Sequence, residues 1–181
     1  MGKGAALAVK GKGMETKMLK QEMDKAQFIL VGIGAEWKSD KLTGVIKDAY
    51  KKLAELLDGK DYFIVTTLED GLIFETALEQ GRIAAPFAGE RASEGSGEER
   101  WKAYTQWLMG TLNRKLLLLE LGEGFENPSV IRWPFEKTAC LNLKSFLYRV
   151  HKRFYQLPEG LEGRGRGEAA DSVRWMLSEA V

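Results

Sequence analysis

"YFIVTTLEDGL", residues 62–72, begins with an unbroken apolar run and ends in two threonines, an acid pair and a glycine. The run shows no alternation of apolar and polar residues, so it reads as a strand buried on both faces, as strands of a parallel sheet are. In open α/β folds, ligands bind just outside the carboxyl ends of such strands. The cluster from Thr66 to Gly71 therefore reads in two ways. Its hydroxyls and carboxylate can hydrogen-bond a ribose or an amide, or Asp70 or Thr67 can cap the next helix.

Two further runs have the same character. Phe28 to Val31 in "FILVGIGAEW" ends in Gly32-Ile33-Gly34, and "KLLLLELG", residues 115–122, is the clearest buried strand in the chain. Helical stripes lie between them. Val45, Ile46, Ala49, Tyr50, Leu53 and Leu57 mark one face, with Ser39 or Asp40 to cap its start and Gly59 to end it. Trp101, Tyr104, Leu108 and Leu112 mark another. Helices are also expected over 15–27, over 71–79, from Pro134, and over 171–180. "RIAAPF" (82–87) and "TACLNL" (138–143) read as further strands, the second making Cys140 a small buried hydrophobe. "SFLYRVHKRFYQL" (145–157) either pairs with the sheet or packs on it. Residues 88–100 read as a surface loop and 159–168 as a Gly/Arg linker. Alternating strands and helices, with strands lacking an in/out rhythm, specify a Rossmann-like, doubly wound α/β fold: a mostly parallel sheet with helices on both faces.

The 181 residues fit a flexible Gly/Lys-rich segment (1–14) followed by one domain (15–181). Apolar residues at 44% and charged residues at 29% are those of a globular chain, and a net charge of +1 gives no basic surface for nucleic acid or anionic membrane. No apolar stretch reaches the ~20 residues of a bilayer span. "AALAV" between Lys3 and Lys10 is too short and interrupted for a signal peptide. A single cysteine excludes an internal disulfide and a multi-cysteine zinc site within one chain. The expectation is a cytoplasmic protein with no zinc, no nucleic-acid partner and no membrane partner.

Gly32-x-Gly34 after the first strand lets a backbone approach a pyrophosphate, or is a bare glycine turn. The third glycine of the dinucleotide fingerprint falls at Trp37, so the nicotinamide-dehydrogenase signature is not met. His151 reads as a packed or surface residue. Arg149, Lys152 and Arg153 read as a solvated face or as phosphate contacts. Arg132 suits a pyrophosphate or an ion pair with Glu136 at helical spacing.

"RKLLLLELGEGFENPSVIRWPFEK", residues 114–137, followed by "ACLNL", resembles divergent bacterial members of the sirtuin family. These are enzymes that use NAD to deacylate lysine or to transfer ADP-ribose. The "LELGxGxxxPxxIRxPFE" string looks like their third nucleotide-binding segment. Gly32 and Gly34 match the first glycines of their phosphate loop, and Thr66 and Asp70 match their Thr-Gln-Asn-x-Asp strand end. The resemblance covers residue 28 to about residue 157. It implies an NAD or ADP-ribose site built from Gly32, Gly34, Ala35, Glu36, Thr66, Thr67, Asp70, Gly122 and Gly124, with Asn142 on the adenine-side ribose. Asp70 is then the best catalytic candidate.

The departures from that family are specific. Its Gln-Asn pair is Thr67-Leu68 here, and a leucine side chain neither donates nor accepts. No histidine lies in "RIAAPFAGE" (82–90), just after whose short strand the family places its general base, and only Glu90 there could deputise. The four-cysteine zinc module is missing. The Phe-Arg after the phosphate loop is replaced by Glu36-Trp37. Three readings follow: an NAD-consuming transferase or deacylase acting on a protein substrate; a catalytically dead relative that senses the nucleotide; and a protein-interaction module with no nucleotide.

Overall fold

The computed structural model describes residues 18–40, 42–89 and 97–178. The expected flexible segment 1–14 and Glu90 lie outside them. Six strands form one sheet: β1 (Phe28–Ile33), β2 (Tyr62–Thr66), β3 (Ile83–Ala84), β4 (Leu116–Leu121), β5 (Phe146–Val150) and β6 (Gly165–Glu168). All five pairings are parallel and the spatial order is 3-2-1-4-5-6. This is the strand order of dinucleotide-binding folds, and the chain has a Rossmann-like α/β architecture.

Strands β1 to β5 feed two cores, because alternate side chains leave the pleat on opposite faces. On one face Ile29, Val31, Ile33, Leu117, Leu119 and Leu121 pack under α1 (residues 18–25), α2 (Thr43–Leu57) and α5 (Ser172–Ser178). On the other, Leu30, Val65, Leu116, Leu118 and Leu147 pack under α3 (Gly97–Gly110) and α4 (Arg132–Leu141). The continuous apolar runs of the sequence are thus two interleaved half-runs. Gly59 has φ +70°, the left-handed geometry that ends α2 as expected.

Several segments differ from their sequence reading. Residues 138–143 are not a strand: residues 138–141 complete α4, and Ile131 at its N-cap, Phe135 and Ala139 recur every fourth residue against the sheet. Cys140 consequently lies on the exposed side. Residues 71–79 form only a 3-10 turn, Leu72–Glu75, with a second at Gln80–Arg82. The helix expected after a surface loop at 88–100 already begins at Gly97. Neither Ser39 nor Asp40 caps α2, whose N-cap position is Leu42 with no side-chain bond. The "linker" contains β6. Its glycines admit the preceding chain: a Cβ on Gly167 would collide with the Tyr155 carbonyl, and one on Gly165 would stand 2.7 Å from Leu157 Cδ1. A strand with no apolar residue leaves no hydrophobic signal to read.

Gly32 lies inside β1, paired with Val65 and Glu120, rather than in a loop. A Cβ there would stand 2.5 Å from Ile131 Cγ2 and 2.9 Å from the Phe135 ring, both fully buried. Gly32→Ala is expected to lower stability by roughly 1–3 kcal/mol through overpacking. Gly44→Ala, whose Cβ meets nothing within 4 Å in the first turn of α2, should raise it slightly. Urea unfolding of the two variants checks the contrast; equal midpoints would mean α4 yields to the extra methyl.

Candidate functional site at the carboxyl edge of the sheet

β1 and β4 are neighbours, but the chain leaves β1 toward the α2 face and β4 toward the α4 face. Their carboxyl ends form the topological switch point, the place where open α/β sheets hold ligands. Four loops meet there: 34–38 after β1, 67–71 after β2, 122–126 after β4 and 151–156 after β5.

The first and third loops are pressed together. A Cβ on Gly34 would collide with the Cα and carboxylate of Glu123 and stand 2.7 Å from the Gly122 carbonyl. Gly122, at φ +68°, leaves no room either: a Cβ would lie 2.6 Å from Glu36 Cβ and from Ser172 Oγ. The Glu36 side chain is enclosed as a tie between loops. Its Oε1 accepts the Lys152 N–H at 3.1 Å, and its Oε2 accepts the N–H and Oγ–H of Ser172 at 2.8 and 2.7 Å. Ala35 sits between these residues in the 3-10 turn Ala35–Trp37, whose Trp37 indole donates to Ser172 Oγ. Gly124 is different. A Cβ there would find only ordinary contacts, 3.6 Å to Phe154 and 3.7 Å to His151 Nε2. A side chain at 124 is therefore tolerated where one at 34 or 122 is not.

Thr66 Oγ donates to the Ile33 carbonyl and accepts the Leu68 N–H, which closes the end of β2. Leu68 itself is buried in the core. Asp70 is a cap: Oδ2 accepts the Ser39 N–H and Oγ–H at 3.1 and 2.9 Å, and Oδ1 accepts the Leu72 N–H at 3.1 Å. Asn142 does not join the set. It lies at the opposite, amino edge, fully buried, where its amide donates to the carbonyls of Thr111 and Arg114 and its oxygen accepts the Lys144 N–H. Thr67 does join, donating from Oγ1 to Glu123 Oε2 at 3.1 Å.

Beneath the β4 loop lies a buried ion network. Glu120, wholly enclosed on β4, meets Arg149 Nε at 2.8 Å and Arg132 Nη1 at 3.2 Å, and Arg149 Nη2 also reaches Glu136 at 2.9 Å. Arg132 further donates to the carbonyls of Glu123 and Phe154 and stacks on the Phe125 ring at 4.3 Å. Its guanidinium is engaged internally, as is that of Arg149; Lys152 and Arg153 remain exposed. Arg132 also approaches Glu136 at 4.0 Å, the ion pair read from helical spacing.

Two groups at this edge titrate near neutrality or are held neutral. Burial pushes the Glu123 carboxyl up to about 7, helped by the neighbouring Glu120 charge and opposed by the Thr67 hydrogen bond. Burial also pulls the His151 imidazole below its ordinary value. Its Nδ1 accepts the N–H groups of Arg153 and Phe154 at 2.9 and 3.0 Å, so the proton sits on Nε2, facing Gly124. An acceptor carboxyl thus lies against Gly34 and Thr67, and a donor imidazole lies beside Gly124. Both were missed as site residues in the sequence, although an acid between Gly122 and Gly124 directly after a buried strand was a visible signal.

Among the described residues no cluster of three or more His, Cys, Asp or Glu is placed to hold a metal, and no helix is long and apolar enough to cross a membrane. No protein-family model matches the chain, and no curated protein matches it.

Because folding raises the Glu123 pKa, the native state favours the protonated acid. Stability is full below the ordinary carboxylate pKa and falls as pH rises through about 7, by an amount on the order of 3 kcal/mol. Glu123→Gln mimics the protonated form, so its melting temperature should exceed that of the parent chain at pH 8.5 and match it at pH 5. A gap that does not grow with pH would remove the burial argument. Asp70→Ala should cost about 1–3 kcal/mol in urea unfolding through its unpaired donors, with no change in any ligand affinity.

Proposed function

We infer that the carboxyl edge binds an NAD-type nucleotide, NAD or ADP-ribose, in the manner of a divergent bacterial sirtuin-like domain. The observation that carries this reading is the convergence at the β1/β4 switch point of Thr67, Glu123, Gly124 and His151, in a sheet with the dinucleotide-binding strand order. The chemistry of the edge suits the parts of such a ligand. Thr67 and the Glu123 carboxyl match ribose hydroxyls. Among the described residues, the N–H groups of Glu123, Gly124 and Phe125 have no acceptor, and with exposed Lys152 they suit a phosphate. The half-exposed rings of Phe125 and Phe154, 5.1 Å apart, offer a face to a base.

The assignment differs in detail from the sequence reading of the site. Gly32, Gly34 and Gly122 serve close packing, and Asp70 and Glu36 are structural ties, so the ligand contacts shift to the loops after β4 and β5. The reading without a nucleotide, an interaction module, rests on another feature: exposed Met109, Leu112, Leu141 and Leu143, beside the groove between α3 and α4 at the amino edge.

Calorimetric titration with NAD and with ADP-ribose tests the proposal, the expectation being saturable micromolar binding. Gly124→Leu adds a bulky side chain at a position where a Cβ is tolerated. It should fold, as judged by circular dichroism, and lose at least tenfold in affinity. Equal affinity in a folded Gly124→Leu protein would move the ligand elsewhere, and absence of binding by the parent chain would leave the interaction module.

A further inference from the structure

The amino edge of the sheet, opposite the switch point, holds a cavity of about 300 Å³. Three segments enclose it: the end of α1 with Ala26 behind it, the start of β4, and residues 143–146 leading into β5. Arg164, which precedes β6, lines another side. The volume falls at the small end of the range for ligand sites.

The lining sorts by chemistry. Its floor is apolar: Leu116 and Leu117 are buried, and Ala26 and Phe146 pack half-buried against the core. Position 26 contributes only a methyl group, where a longer side chain would enter the space. The Ser145 hydroxyl donates to the Asn142 carbonyl at 2.6 Å, so its proton is already placed. The rim is cationic. Lys25, Lys115, Lys144 and Arg164 stand against one acid, Glu22, and that acid is taken by Lys25 at 2.7 Å. Arg164 is held by the carbonyls of Ala139 and Asn142, at 2.9 and 3.3 Å, which fix its position and leave its charge in place. Among the described residues, no carboxylate lies within ion-pair distance of Lys115 or Lys144. One exposed lysine without a partner is ordinary; four cations around one apolar floor, with a single acid already paired, form a built arrangement.

We propose that this cavity binds an amphipathic monoanion, a carboxylate carried on a short apolar body. The body lies on Ala26, Leu117 and Phe146, and the carboxylate meets the cations of the rim. Charge complementarity selects an anion, since an amine of the same shape would face like charges. The apolar floor selects against a sugar or a polyphosphate, whose polar groups would lose water there without gaining partners. The site shares no residue with the carboxyl edge, so it stands whether or not a nucleotide binds there.

The test is a titration of the full chain, without nucleotide, with octanoate as the probe, followed through the amide NMR signals. The expected result is saturable, submillimolar binding that shifts the signals of Ala26, Leu117 and Phe146 and leaves those of Gly34 and Gly124 in place. Octylamine, with the same tail and the opposite charge, should bind about tenfold more weakly or worse. The double variant Lys115→Glu/Lys144→Glu changes exposed side chains only, so it should keep the circular dichroism of the parent. Its octanoate affinity should fall about tenfold or more. Ala26→Leu, which fills the cavity, should show the same loss; if it fails to fold, the lysine pair decides alone. Parent-like affinity in the folded lysine variant would overturn the proposal. Equal binding of octylamine would do the same, as would the lack of a saturable shift at the three lining amides.

Discussion

A carboxylate in the middle of a leucine strand governs this molecule. Glu120 is wholly buried on β4, and an unpaired charge in that setting would cost several kcal/mol. The pairing is supplied by Arg149 from β5 and Arg132 from the start of α4. Those two arginines in turn donate to the carbonyls of Glu123, Phe154 and Gln156. One buried charge therefore sets where α4 begins, how the loop after β4 turns and where the segment after β5 lies. Burial raises the Glu120 pKa and the Arg149 charge opposes it, so the network is stable only as a whole. Removing either arginine leaves an enclosed carboxylate, whereas replacing the network with apolar residues would erase the register of the loops above it.

The edge above this network is crowded. Glycines at 34 and 122 let the β1 and β4 loops touch, and Glu36 ties both to the start of α5. Gly124 does not share in that packing, whereas the loop after β5 joins it through the Lys152 N–H on Glu36. At this edge the protonation of Glu123 and His151 is set by enclosure more than by any single partner.

Much of the fold was legible because parallel strands buried on both faces leave uninterrupted apolar runs, as at 28–31, 62–65 and 116–119. The stripe of α2 was legible for the same reason, one face being buried. The misreadings came where the signal was local and the determinant was not. Residues 138–143 carry β-compatible residues, yet Phe135 and Ala139 recruit the first part of them into a helix against the sheet. β6 has no apolar residue, and only its place beside β5 makes it a strand. At the site, the pair Thr67–Glu123 spans 56 residues of sequence, and no spacing rule links its members. Asn142 failed for the opposite reason: read as a strand residue, it would reach the carboxyl edge, but at the end of a helix it falls at the other side of the sheet. The resemblance of residues 114–137 named residues whose larger duty is internal, with Glu120, Arg132 and Glu136 forming the ion network.

The two outer strands bear on how the protein behaves at high concentration. An unpaired strand edge is a template for other chains, and long apolar edges seed association. Here one edge, β3, is two residues long, and the other, Gly165–Glu168, carries an arginine and a glutamate between and beside its glycines. Neither offers a sticky ladder, although the interior strands are among the most apolar stretches of the chain. The glycines that hid β6 from a hydrophobic reading also make it a poor seed for fibrils, so colloidal stability should depend on keeping this margin polar.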